Sequence, residues 1–243
     1  MKNEKKWKRF FIVLAFVCFL GGFVISGIKI IEWKLDSNKT NKQIEDVQKD
    51  ANIEEKEDNE NTEIIEPAVE VPITDPYWDY IKMNMIDVDF NKLKDVNNDI
   101  KGWILVNGTN VNYPFVQTDN KNTIIYGHGR YDKTMFGTLR DILESSWVNN
   151  KDNYIIKIST EKENTLWQIF SAYHIPTTSD YLQIDFKDDD EFQEFVNKLK
   201  NRSACNFDTT VSKSDKILTL STCYSNQEKM VIHAKLIKKE TKI

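Results

Sequence analysis

Basic surface is what this sequence most lacks. Its 33 lysines and arginines are outnumbered by 38 aspartates and glutamates, the net charge is −5, and the basic residues form no long stripe. A phosphate backbone therefore finds nothing to attract it, and nucleic acid is excluded as a partner class. Cysteine is scarce too: three residues, one inside an apolar N-terminal run, make no disulfide framework, although a Cys205–Cys223 bridge stays open on sequence alone. The three histidines are widely spaced and no acidic cluster has a calcium-loop pattern, so no metal and no other cofactor is expected. Glycine and proline are few, and there is no internal repeat.

The 243 residues, 40% of them hydrophobic, suffice for one sizeable core with appendages. Residues 1–9 form a basic tail with Lys5, Lys6, Lys8 and Arg9. The run from Phe10 to Ile28 has no charge. As a helix rising ~1.5 Å per residue it spans roughly the ~30 Å of a bilayer core. Residues 10–31 are thus expected to be a single-pass membrane anchor, with Cys18 facing lipid; a cleaved signal peptide is the competing reading, but no clean Ala-x-Ala site follows. The basic flank keeps the N-terminus cytoplasmic and places the rest outside. From 32 to 76 the chain is polar and acidic, with Glu54, Glu55, Glu57, Asp58, Glu60, Glu63 and Glu66, and reads as a flexible or partly helical stalk ended by Pro67, Pro72 and Pro76.

A globular domain is expected over 77–243. Tyr80, Ile81, Met85, Val88 and Leu93 recur at loose helical spacing and predict one or two short helices before Asn98. Short β runs follow at 102–106, 111–116, 123–128, 154–158, 166–174, 217–222 and 230–237, with Asn107-Gly108 as a turn and Pro114 arguing for an edge or a bulge. One helix interrupts them over 188–200, with Phe192, Phe195, Val196 and Leu199 on one face. The pattern is mainly β, an antiparallel barrel or sandwich.

Chemistry centres on Cys223, which ends the run Lys216-Ile-Leu-Thr-Leu-Ser-Thr-Cys-Tyr224. Alternation puts Leu218, Leu220 and Thr222 on one face and Ile217, Thr219, Ser221 and Cys223 on the other. The leucine face suits a core, so the thiol is expected on a partly wet face, where a nucleophile is useful. A structural cysteine closing a core strand is the alternative. A cysteine enzyme also needs a base. Among the histidines His128 ends an apolar strand before Gly129, where an imidazole can lean over a cleft, whereas His174 and His233 read as ordinary strand residues.

Thr219-Leu-Ser-Thr-Cys223 resembles the signature of sortases, membrane-anchored cysteine transpeptidases of Gram-positive bacteria. Asp99–Ile104, Val111–Gln117, Asn122–His128, Met135–Leu139 and Val231–Leu236 look like the class B pattern. The resemblance implies a sortase-like β-barrel with N-terminal helices and a helix before the cysteine strand. It implies Cys223 as nucleophile and His128 as general acid/base. It further implies Ser221 and Thr222 beside the substrate, and Lys229 where the family has an arginine, with Arg130 a second candidate for that role. Lysine keeps the charge and loses the planar fork. An acidic residue that the family carries soon after the cysteine is absent, with Ser225 near that place. The implied substrates are secreted proteins with a C-terminal sorting motif, cleaved after threonine through a thioester, and the implied acceptor is a peptidoglycan precursor or cross-bridge amine. Only Thr118 to Lys121 join two motifs that the family usually separates by a longer, strand-bearing stretch. The alternatives are a degenerate sortase acting as a surface binding or scaffold protein, and a cysteine hydrolase releasing its acyl group to water.

Overall fold

The computed structural model describes residues 2–116 and 121–242. Two compact units emerge, Met1–Glu45 and Asp46–Ile243. The first lies within one long helix, α1 (Lys2–Ala51). Its apolar residues from Phe10 to Ile31 are exposed, and it is long and apolar enough to cross a membrane. The helix carries on well past the expected anchor, because residues 32–51 contain neither proline nor glycine to stop it.

The segment expected as a stalk also feeds the second unit. Strands β1 (Glu54–Lys56) and β2 (Thr62–Ile64) fall inside it, followed by helix α2 (Tyr77–Tyr80), strand β3 (Met85–Asp87) and helix α3 (Phe90–Val96). β1 pairs with β3. The others are β4 (Gly102–Val106), β5 (Asn112–Phe115), β6 (Asn122–Tyr126), a 3-10 turn at Gly137–Asp141, α4 (Ser145–Val148), a 3-10 turn at Lys151–Tyr154, β7 (Ile155–Thr160), β8 (Glu163–Pro176), α5 (Asp189–Asn201), β9 (Ile217–Cys223) and β10 (Glu228–Thr241). The main sheet runs β5-β4-β7-β8-β10-β9-β6, with β2 paired to the far end of β10.

β2 belongs to the sheet for an electrostatic reason. It lies against Lys238–Glu240 of β10, and Lys239 meets Glu63 at 3.0 Å. The ammonium of Lys238, wholly buried, is held by Asp58 Oδ1 and Met83 O, both at 2.7 Å. A buried ammonium without partners would cost several kcal/mol, so the acidic segment is drawn in to cover it.

The sheet curls into a half-barrel. All neighbouring strands are antiparallel except β6 and β9, which run parallel from Asn122↔Ile217 to Tyr126↔Ser221. β5 and β6, consecutive in sequence, sit at opposite ends of the strand order, and among the described residues neither has a second strand partner. The mainly β fold with leading helices is as expected; full closure of the barrel by strand pairing is replaced by an open cleft of about 350 Å³ lined by Tyr113, Phe115, Val116, Ile125, Tyr126 and Phe136 among others. The Thr118–Lys121 connection lies, apart from Lys121, outside the described residues. Pro114 stands in an edge strand, where its missing N–H removes no ladder bond to a second neighbour.

The inner face of the sheet carries Ile104, Ile156, Trp167, Leu218, Leu220, Met230, Ile232 and Ala234. The outer face of β8, β9 and β10 is covered by α5, whose Phe192, Phe195, Val196 and Leu199 pack on Phe170, Tyr173, Ile217 and Val231. Each such side chain contributes about 1.5–3 kcal/mol on burial. Asp188 caps α5 by accepting from Glu191 N at 2.9 Å.

Candidate active site

β9 lies inside the sheet, between β6 and β10, which fixes its backbone on both sides. Both its faces are buried from Ile217 to Thr222, and Cys223 is its one exposed residue. The expectation of a wet face holds only at that last position: Thr219 is buried against Asn122 and His233, and Ser221 against Tyr181. Ser221 Oγ is hydrogen-bonded to Tyr181 OH at 2.9 Å, and Thr222 Oγ1 is buried with no hydrogen-bond partner. Both hydroxyls are buried beneath the strand end that carries Cys223.

Lys229 sits opposite Cys223 in the β9–β10 register, and its Nζ donates to Cys223 Sγ at 3.2 Å. A cation is thereby fixed at the sulfur. The hairpin between them is held by Tyr224 N and Ser225 N donating to Glu228 O, and by Ser225 Oγ accepting from Gln227 N and Glu228 N. His174, on the neighbouring β8, stacks on Tyr224 with ring centroids 4.7 Å apart and meets Glu228 Oε1 through Nδ1 at 3.2 Å.

His128 arrives on the other flank. β6 ends at Tyr126, and Gly127 N still donates to Ser221 O at 3.2 Å, so the chain keeps running beside β9 towards its end. Gly129 then presses on the nucleophile: a Cβ built there would lie 2.2 Å from Cys223 O and 2.9 Å from Thr222 Oγ1. Exposed His128 is the residue between these two contacts. Its carbonyl accepts from Phe136 N at 3.0 Å, and Gly129 bridges to Met135, so the intervening loop folds back on itself. Lys133 and Met135 take φ of 64° and 53° in that loop, backbone values that L residues seldom adopt and that cluster at functional sites.

Arg130 has its guanidinium on Asp132, with Nη2 to Oδ2 at 3.1 Å, and Asp132 also accepts from Thr134 N and Oγ1. These contacts tie Arg130 to Asp132 of its own loop. Another arginine, which the sequence reading missed, is Arg140 on the 3-10 turn Gly137–Asp141: its Nε donates to Cys223 O at 3.2 Å and its Nη2 to Gly129 O at 2.5 Å. The one local signal was its position directly after the Met135–Leu139 motif.

Other titratable groups lie away from Cys223 and its partners. His233 is fully buried between Tyr173 OH and Thr219 Oγ1, both at 2.9 Å, and burial, helped by the Arg202 charge, pushes its pKa down to about 3, so it is neutral. Arg202 pairs with Asp180 and holds that carboxyl down to about 2. Cys205 and Cys223 are both free thiols, and burial pushes Cys205 up. Among the described residues no group of three or more His, Cys, Asp or Glu side chains could hold a metal ion.

A family profile for the sortase domain matches residues 84–237. Sortase B of Staphylococcus aureus is 34% identical over 184 residues, covering 61% of this chain and 75% of that protein. A structure of the S. aureus sortase B–substrate complex superposes with a TM-score of 0.56 at 34% identity, over 61% of this chain and 84% of the other. Sortase B from B. anthracis in complex with AAEK1 superposes with a TM-score of 0.64 at 25% identity, over 84% and 99%. The exposed cysteine at the strand end, the histidine loop packed against it and these matches agree, and the chain belongs to the sortase family, in its class B branch.

Proposed function

We propose that this chain is a membrane-anchored cysteine transpeptidase that joins secreted proteins bearing a C-terminal sorting motif to a peptidoglycan amine. One observation carries the reading: within the matched sortase domain, Cys223 is the exposed end of a strand otherwise buried, with Lys229 Nζ 3.2 Å from its sulfur. Thiolate chemistry requires access and a nearby cation, and Cys223 has both.

The Cys223 thiolate attacks the carbonyl carbon of the motif threonine, forming a C–S bond as the carbonyl electrons move onto oxygen. Collapse breaks the C–N bond, and His128 gives its proton to the leaving amine. The incoming amine attacks the thioester, loses a proton to His128, and releases the Cys223 thiolate. Lys229 serves as the charge that steadies sulfur and oxyanion, the task for which the family uses arginine. The S. aureus relative solved with its substrate supports the substrate class. A role as a mere scaffold would give no reason for a lysine hydrogen-bonded to an exposed thiol.

The apolar part of α1 is the anchor, with the basic tail on the cytoplasmic side and the catalytic unit outside. The test is the full chain in detergent with a quenched sorting-motif peptide, wild type against Cys223→Ala. Cleavage by the wild type alone supports the reading; equal rates for both chains overturn it. Adding an amine acceptor separates transfer from hydrolysis by the mass of the product.

A further inference from the structure

Two backbone carbonyls converge at the end of β9. One belongs to Cys223, and the other to Gly129, the residue after His128. They are close neighbours, since a Cβ on Gly129 would touch Cys223 O. Converging carbonyl oxygens repel, and neither segment has a covalent reason to stay beside the other. Arg140 spans them: Nε on Cys223 O at 3.2 Å and Nη2 on Gly129 O at 2.5 Å. The same guanidinium lies 4.5 Å from the ring centroid of exposed Tyr131, which belongs to the histidine loop. The base of Arg140 is firm, because Gly137 and Leu139 of its short turn are buried and Asp141 pairs with Lys133 of the same loop.

We propose that Arg140 is a positioning residue that locks the Cys223 strand end to the His128 loop and so sets the distance between nucleophile and imidazole. The proposal rests on the transpeptidase reading for its consequence and on the two carbonyl contacts for its geometry. Arginine suits the task because its planar fork offers two N–H directions in fixed relation, which a lysine ammonium lacks. The sulfur and the carbonyl of Cys223 thus have different cations, Lys229 and Arg140, with separate duties.

The experiment is a double-mutant cycle on the full chain in detergent, comparing wild type, Arg140→Ala, His128→Ala and the double variant. Its first readout is the rate at which iodoacetamide alkylates Cys223, followed by peptide mass mapping so that Cys18 and Cys205 do not contribute. A residue acting through His128 gives a non-additive cycle. Arg140→Ala is expected to slow alkylation about tenfold in the wild-type background and less than about twofold once His128 is gone. Equal losses in the two backgrounds overturn the proposal, as does no loss in either. The second readout is peptide cleavage: Arg140→Ala lowers kcat about 10²-fold, the scale of a 1 Å misplacement, with KM within about twofold, and Arg140→Lys recovers part of it. A raised KM with unchanged kcat would contradict the positioning role. Failure of the transpeptidase reading shows separately, as cleavage that Cys223→Ala leaves unchanged.

Discussion

Replacing Gly129 with alanine inserts one methyl group between the two halves of the active site. The new Cβ would lie 2.2 Å from Cys223 O, 2.9 Å from Thr222 Oγ1 and 3.2 Å from the Cys223 carbonyl carbon. Gly129 has a φ open to any residue, so the cost is contact alone. The first of these distances must grow by roughly 1.2–1.8 Å to reach ordinary packing. β9 yields little of that movement, since β10 pairs with Cys223 itself and β6 holds the strand as far as Ser221. The His128 loop must therefore retreat. A displacement of ~1 Å at a catalytic group costs about 10²-fold in rate, or ~2.7 kcal/mol in the barrier. Overpacking of this kind costs about 1–3 kcal/mol in stability. At ~2–4 °C per kcal/mol for a domain of this size, the melting temperature falls by roughly 2–12 °C. Peptide cleavage at 25 °C, well below the transition, measures the first effect, and thermal unfolding followed by circular dichroism measures the second. A Gly129→Ala chain with kcat within twofold of wild type would refute the packing of the histidine loop on Cys223.

Three further outcomes are expected. Lys229→Met lowers kcat by about 10²–10³-fold, the range for loss of an oxyanion donor, whereas Lys229→Arg keeps at least the wild-type rate; quenched-peptide kinetics on both variants check this. His233, neutral in the fold with a pKa of about 3 against 6.5 unfolded, makes the unfolded chain the better proton acceptor between those values. Its share of stability is full above about pH 6.5 and shrinks as pH falls, by about 2 kcal/mol at pH 5, and urea unfolding at pH 7 and pH 5 should show a drop that His233→Gln diminishes. A chain beginning at Tyr77 unfolds at lower urea than one beginning at Asp46, because it lacks β2 and the Asp58 partner of buried Lys238; equal midpoints would mean that the acidic segment adds nothing.

Much of the half-barrel was legible from alternation. Gly102–Val106 came out with its bounds intact, and α5 was visible from its apolar stripe and acidic first turn, shifted by one residue because Asp188 is the cap. β1 and β2 were illegible because Glu54-Glu-Lys and Thr62-Glu-Ile bury almost nothing of their own. β2 is drawn in by the lysines of distant β10, and β1 pairs with β3 and sets Lys56 against Glu240 of β10, which no local pattern reveals. The outer face of β9 misled for a similar reason: Thr219 and Ser221 are polar, yet both are buried, with their hydroxyls satisfied by His233, Asn122 and Tyr181. Within the candidate site, Lys229 was marked by its place in the resemblance, and it stands opposite Cys223 in the β9–β10 register with Nζ 3.2 Å from Sγ. Arg140 carried no such signal, because its partners are backbone carbonyls, and carbonyls have no residue type.

The most direct test of the central claim is the intact mass of the full chain after brief incubation with a sorting-motif peptide and no amine acceptor. The account predicts an adduct equal to the peptide's acyl portion up to and including the threonine, mapped to Cys223, absent in Cys223→Ala and discharged when an amine is added. An adduct at another residue, or peptide cleavage by the Cys223→Ala chain, would contradict it.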